Sequence, residues 1–252
     1  MGVGFPRVLV NCLCCSLMAL ACFAGSLGHA GIYPEQVRIA VIDDVPSTVA
    51  GMALLKEAYA RLGVDMQVVV LPSRRALYLA DRGELDGDLF HIATVAEHYP
   101  NLRRVDHPLL QASLFAVVLD PAATDLPRHN GRRLNATLRR GVLIAEQTAE
   151  TLGMYPLPAE SYEQMRRLLE YGRADLALAS DIEGLSPVSG PDWSHLNRLP
   201  EPVVRFTLYH YLNRRHAQLA IELAVVLEQL EREGFKARIL QEALSRQAGQ
   251  AR

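Results

Sequence analysis

The stretch VRIAVIDDVPSTVAGMALLKEAYARLGVDMQVVVLPSRRALYLADRGELDGDLF, Val37 to Phe90, decides the fold. Val37 to Ile42 is an apolar run broken only by Arg38 and bounded by Asp43-Asp44, which predicts a buried strand. Pro46-Ser47-Thr48 then opens a helix whose apolar positions Met52, Leu55, Tyr59 and Leu62 recur at helical spacing, and Gly63 stops it. Met66 to Leu71 predicts a second strand, Pro72-Ser73 caps a second helix ending before Gly83, and Leu85 to Phe90 predicts a third strand. Strand–helix–strand–helix–strand alternation argues a mostly parallel sheet with helices on its faces.

The same grammar returns downstream. Ser73 begins a helix, Gly83 ends it, and Asp86 leads into a strand; Ser161, Gly172 and Asp175 repeat that order before Leu176-Ala177-Leu178. Ser161 and Gln164 also fit a capping box. Any α/β chain can reuse such punctuation; the sharper reading is two similar lobes, each with its own sheet. The runs Ser113 to Leu119 and Val203 to Leu212 would then leave the first lobe and return to it. The expected boundaries are 31–119 plus 205–252 for lobe 1 and 120–204 for lobe 2. A long helix from Arg215 or His216 to Glu233 carries the stripe Leu219, Leu223, Val226, Leu227 and Leu230, and Phe235 to Leu244 forms a last short helix.

The chain has 252 residues, half of them apolar, with 26 basic against 28 acidic side chains and a formal net charge of −2. No strong basic field exists to hold nucleic acid, so a generic polyanion binder is disfavoured. Residues 1–30 form a separate object: one basic residue, Arg7, an apolar run from Val8 to Ala24, and the small-x-small exit Gly28-His29-Ala30. That pattern predicts a secretory signal peptide removed before Gly31, and hence a periplasmic protein. Cys12, Cys14, Cys15 and Cys22 all lie in this leader, so the mature chain is expected to have no disulfide, thiol nucleophile or thiolate metal site. Ala19-Leu20-Ala21-Cys22 faintly resembles a lipoprotein box with Ala where a larger aliphatic is usual, which makes a lipid anchor on Cys22 the lesser alternative. Beyond the leader no run of 18 uncharged apolar residues occurs, so no membrane span is expected in the mature chain.

Three segments, Leu71-Pro72-Ser73-Arg74-Arg75-Ala76-Leu77, Gly83-Glu84-Leu85-Asp86-Gly87-Asp88-Leu89 and Tyr99-Pro100-Asn101-Leu102, follow in an order that resembles bacterial extracellular solute-binding proteins of family 3. The tail from Leu208 to His216, and on through Glu233-Gly234-Phe235, is similar to that family's closing strand and helices. The resemblance spans essentially the whole mature chain. It implies the type II periplasmic-binding fold: two α/β lobes, two crossing strands, and a cleft that closes on a polar small molecule, often an amino acid. The implied partner is the permease of an ABC transporter. Two positions depart from the pattern. His91 stands where members commonly place Arg after the third strand, and Asp44-Val45-Pro46-Ser47 replaces the aromatic-Pro stretch after the first, which counts against an ordinary α-amino-acid site.

In open α/β sheets ligands sit beyond the carboxyl ends of the strands, near helix N-termini. That rule selects Asp43, Asp44 and Ser47 after the first strand, Ser73, Arg74 and Arg75 after the second, and Asp88, Phe90 and His91 at the third. The blander alternatives are that Ser47 and Ser73 only cap helices and that the arginines only pair with surface acids. Arg75 is the preferred anchor, because a guanidinium in the first turn of a helix adds its fork to the helix dipole. The resemblance puts further contacts on Arg140 and Thr148, near the start of the next helix, and on Asp181 across the cleft for an ammonium group. His91, His98 and His107 lack metal-ligand spacing, so neither metal nor cofactor is expected. No nucleophile elbow, phosphate loop or dinucleotide fingerprint occurs. The expected function is a monomeric, non-catalytic binder of a small polar solute. A periplasmic cyclohexadienyl-dehydratase-like enzyme, with Asp43 or Asp44 as acid or base, and a ligand-sensing receptor remain the alternatives.

Overall fold

The computed structural model describes residues 1–2, 33–43, 45–120, 128–129 and 132–250. The leader from residue 3 onward, its cysteines and Asp44 lie outside the described residues.

The chain runs β1 (Gln36–Val41), α1 (Pro46–Arg61), β2 (Asp65–Val70), α2 (Ser73–Asp81), β3 (Gly87–His91), the short α3 (Val95–His98) and β4 (Leu102–Arg104). There follow β5 (Leu110–Val118), β6 (Arg128–His129), β7 (Arg132–Arg133), β8 (Asn135–Arg139), α4 (Leu143–Thr151), β9 (Tyr155–Ala159), α5 (Tyr162–Glu170) and β10 (Leu176–Ile182). The chain closes with β11 (Asn197–Arg198), β12 (Val204–Asn213), α6 (Ala217–Arg232) and α7 (Phe235–Gln250).

The main sheet has the order β2-β1-β3-β12-β5-β10-β8-β9. Parallel trios stand at its two ends, β2-β1-β3 and β10-β8-β9. The antiparallel pair β12 and β5 joins them, Val204–Leu208 lying against Leu110–Leu114. Each trio has its own core. Ile39, Leu55, Tyr59, Leu77 and Leu89 fill one; Leu114, Leu138, Met154 and Leu176 on one face, with Met165, Leu169 and Trp193 on the other, fill the second. This is a mixed α/β fold of two lobes bridged by two crossing strands.

The echo in the sequence is a shared structural device. Gly83 and Gly172 end their helices at φ +76° and +63°, a conformation costly for any side chain. Asp86 then accepts the Arg38 N–H of β1 at 2.7 Å, and Asp175 accepts the Asn135 N–H of β8 at 2.7 Å. Each carboxylate also holds an arginine, Arg215 and Arg132 respectively. The turn therefore pins each helix's exit to the central strand of its own trio.

The outer edge of β9 is blunted by proline. Tyr155 directs its N–H to Leu134 of the neighbouring strand segment, so Pro156 and Pro158 present their missing N–H groups outward. That removes donors from an edge open to strand addition.

Several boundaries differ from expectation. Ser47 and Ser73 are not caps: the N-cap positions are Val45 and Pro72, both serines sit inside the first turn, and neither helix has a side-chain cap bond. The capping box at Ser161 forms with a shift: Ser161 Oγ accepts the Gln164 N–H at 3.1 Å, while Gln164 Oε1 reaches back to the Glu160 N–H at 2.7 Å. The tail helix begins later, at Ala217, because Asn213 caps a short 3-10 turn over Arg214–His216. The last helix is longer than Phe235 to Leu244, reaching Gln250; Gln247 donates to the Ser186 carbonyl and to Ser189 Oγ, anchoring a segment with no apolar stripe of its own.

Candidate functional site

The carboxyl end of β1, at Ile42, opens into a cleft whose far wall is the Gly141 turn and the start of α4. Two adjoining pockets make it up, sharing Ile42, Val45 and Gly141. The inner one, about 70 Å³, is apolar: Phe90 and Ile92 from the end of β3, Leu143 and Ile144 from α4, Ile182 from β10, and Phe206 and Leu208 from β12. Its polar lining is limited to His91, Tyr162 and Ser180. The outer one, about 340 Å³, is the mouth, lined by Ser73, Arg74, Arg139, Arg140, Asp43 and Glu160.

The lobes meet across this cleft. Arg74 of α2 is ion-paired to Glu146 of α4, and Gln147 of α4 approaches Thr94 at 3.5 Å. Gly141, at φ +83°, lies against Ser73: a Cβ there would stand 3.0 Å from that of the serine. Glycine thus satisfies two demands of the turn, its left-handed backbone and the close approach of the facing helix.

Buried polar atoms without partners gather here. Ser73 Oγ and Arg139 Nε at the mouth, Ser180 Oγ in the inner chamber and Ser47 Oγ in the first turn of α1 have no hydrogen-bond partner. Most buried polar groups in folded proteins are paired, so three orphans on the walls of one cleft mark where a ligand would supply partners.

Several carboxylates at the cleft already face a basic side chain. Asp88 and His91, 4% and 8% exposed, face each other with Oδ1 and Nε2 3.1 Å apart. Glu160 pairs with Arg140 and Glu146 with Arg74. Asp43, exposed at the rim, has an interaction of its own.

Of the residues singled out from the sequence, Asp43, Ser73, Phe90, His91 and Arg140 line the cleft, and Asp88 lies directly behind it beside His91. Arg75 does not: it is exposed and lines none of these pockets, while Arg74 does. Successive helix residues turn by about 100°, so Arg75 points some 200° away from Ser73, which faces the cleft. Thr148 is buried inside α4, past the turn that reaches the cleft, and Ser47 is buried in α1. Asp181 faces away: on β10 its neighbours Ser180 and Ile182 line the chamber, so strand alternation turns Asp181 outward to Arg198 at 3.1 Å and to the Gly184 N–H at 2.8 Å. Arg139, Ser180, Phe206 and Leu208 were not selected as site residues from the sequence. The alternation on β10 was the available signal for Ser180; Phe206 and Leu208 gave none, because only the crossing of β12 brings them to the chamber.

Behind the site, His210 is completely buried on β12, where the ladder with β3 slips by a residue between Tyr209 and Tyr211. Its Nδ1 meets the carbonyls of Asp88 at 2.8 Å and Leu89 at 3.1 Å. Nδ1 therefore carries the proton, and Nε2 accepts from the Tyr59 hydroxyl at 2.7 Å. Burial holds this imidazole down from the usual 6.5 to about 4, against the raising effect of the two carbonyls. The bridge fixes the strand that presents Asp88, Phe90 and His91. Among the described residues no group of three or more His, Cys, Asp or Glu is placed to hold a metal ion, and no helix is long and apolar enough to cross a membrane.

Two lobes, two crossing strands and a cleft at the carboxyl ends of the parallel strands define the type II periplasmic-binding fold. No protein-family model matches the chain. An uncharacterized protein of Shewanella oneidensis is 27% identical over 194 residues, 74% of this chain and 72% of that one. The substrate-binding protein of an amino acid ABC transporter superposes with a TM-score of 0.70 at 12% identity, over 83% of this chain and 99% of the other. The GluR0 ligand-binding core in complex with L-glutamate gives 0.69 at 14% identity, over 84% and 99%. AncCDT-1, an ancestral amino-acid-binding protein and precursor of cyclohexadienyl dehydratase, gives 0.64 at 13% identity, over 83% and 96%.

Proposed function

We propose that this chain is a non-catalytic solute-binding protein that captures a small anionic or zwitterionic solute between its lobes. In this reading it works as a monomer in the periplasm after loss of residues 1–30 and delivers its ligand to an ABC transporter permease. The lobes comprise 31–119 plus 205–252 and 120–204. The observation that carries the reading is the pair of orphaned donors, Ser73 Oγ and Arg139 Nε, on facing walls of the mouth. Structural neighbours described as binding proteins of amino acid ABC transporters support it. The test is a thermal-shift screen of amino acids, small carboxylic acids and sugars, followed by calorimetry. A saturable one-to-one complex without turnover is expected; conversion of the ligand, or no complex with any class, would overturn it.

One observation favours the dehydratase-like enzyme. The buried Asp88–His91 pair lines or backs an apolar chamber, where an imidazole oriented by a carboxylate can move a proton. Chromatography of ring acids such as prephenate after incubation with the protein separates the two readings: a new product supports the enzyme, and unchanged acid supports the binder.

A further inference from the structure

We infer that α7 is a strap that holds lobe 2 to lobe 1 beside the crossing strands and limits how far the cleft opens, with Lys236 as its fastening. A strained turn marks the place. Ile182 and Leu185 exchange two backbone hydrogen bonds, at 3.0 and 2.9 Å, around Glu183 at φ +53° and Gly184 at φ +85°. Such a turn needs left-handed backbone at both central positions, which suits Gly184 and disfavours Glu183. Among the described residues Glu183 is the one non-glycine residue with positive φ. Strain of this kind persists only where the surroundings over-determine it.

The surroundings here come from both lobes. Glu183 donates its N–H to the Gln111 carbonyl at 3.0 Å, and its Oε1 accepts the Gln111 N–H at 2.9 Å. Gln111 lies near the start of β5, and its side-chain oxygen accepts from Thr207 Oγ1 on the other crossing strand, β12, at 3.0 Å. The same Glu183 oxygen stands 3.5 Å from Nζ of Lys236, which is 9% exposed in the first turn of α7. Lys236 also faces Glu231 of α6 at 3.7 Å, and His107 meets the second oxygen of Glu231 at 3.0 Å. A buried ammonium between two carboxylates is a firm tie, because removing any member leaves a buried charge uncompensated. The far end of α7 repeats the hold. Gln247, roughly 16 Å along the helix from Lys236, donates to the Ser186 carbonyl and to Ser189 Oγ. Between the two ends Leu185, 2% exposed, packs with Ala243 of α7 and Ala50 of α1, and Leu244 lies against Gly184. Because α7 rests on α1 and α6, the segment leaving β10 of lobe 2 is gripped at both ends by a helix of lobe 1. Lobe 2 cannot swing about the crossing strands without breaking one of the grips.

The test uses the unliganded protein, so its failure leaves the solute-binding reading in place. Lys236→Met should raise the radius of gyration in small-angle scattering. It should also speed backbone hydrogen exchange at Ile182, Glu183 and Leu185 by about tenfold or more. Lys236→Arg should recover most of the wild-type radius, and Gln247→Ala should raise it as Lys236→Met does. A lysine that served stability alone would, when replaced, lower the melting temperature and leave the radius unchanged. That result in a folded Lys236→Met protein overturns the inference. So does a Lys236→Arg protein as open as Lys236→Met, or faster exchange at the turn without a larger radius. Should Lys236→Met fail to fold, Gln247→Ala decides: a wild-type radius overturns the strap, and a larger one upholds it.

Discussion

Arg74 and Glu146 are ion-paired across the cleft mouth, and the other carboxylate oxygen of Glu146 accepts the Gly141 N–H at 3.0 Å. One side chain of lobe 2 thus ties down the turn that faces Ser73 and reaches over to lobe 1. The pair ties the two lobes together across the mouth. Arg74 is 68% exposed, so the bond contributes little to global stability, about 0–1 kcal/mol. A two-state opening is sensitive to that amount, since 1 kcal/mol changes its equilibrium about fivefold. Glu146→Gln should therefore raise the radius of gyration of the unliganded protein in small-angle scattering, with almost no change in melting temperature. An unchanged radius would show that the ion pair does not hold the lobes.

Gly141→Ala tests the opposite side of the same contact. The substitution forces a side chain onto a backbone at φ +83° and sets its Cβ 3.0 Å from that of Ser73. The left-handed conformation alone costs roughly 1–2 kcal/mol. Denaturant titration should register a loss of that order, and ligand affinity should fall with it because the lobes cannot approach as closely. Stability at the wild-type level would mean the turn has rearranged.

The buried His210 makes stability depend on pH in a defined window. Its folded-state value of about 4 lies below its usual 6.5, so the unfolded chain binds the proton more readily. The neutral imidazole's contribution is complete above about pH 6.5 and is lost progressively as pH falls toward 4. Wild type should be about 2 kcal/mol less stable at pH 5 than at pH 8 from this group alone. His210→Gln can donate to the same carbonyls and accept from Tyr59 without titrating, so it should flatten that slope. Parallel pH profiles for the two proteins would remove His210 as the cause.

Asp86 has the reverse dependence. Burial would raise its carboxyl, but His216, the Arg38 N–H and Arg215 together hold it well below the usual carboxylate range. Its stabilisation is present above its ordinary value and fades as pH falls further. Because the group is partly open to solvent, Asp86→Asn should cost only about 1–2 kcal/mol at pH 7. The gap to wild type should narrow on acidification below pH 4 in urea titrations. A gap that stays constant with pH would assign the loss to packing.

Much of the architecture was legible in the order of residues. Apolar runs of strand length, helix-spaced Leu and Tyr, and the punctuating Gly83, Gly172, Asp86 and Asp175 act through neighbours one to four positions away, or through the adjacent strand. Local sterics and hydrogen bonding are enough to write them into the sequence, and the capping box at Ser161 needed no tertiary contact to be recognised. The site was legible only as a set of strand ends. Choosing Arg74 over Arg75 requires the rotation of α2 against the sheet, and turning Asp181 outward requires the register of β10. Phe206 and Leu208 reach the chamber because β12 crosses between the lobes, and Arg139 Nε has no partner while Glu160 pairs with the adjacent Arg140. Each of these depends on side chains distant in the chain meeting in space. The sequence by itself determined which elements form and in what order; the packing of one lobe against the other decided which charges face the cleft and which are already spent.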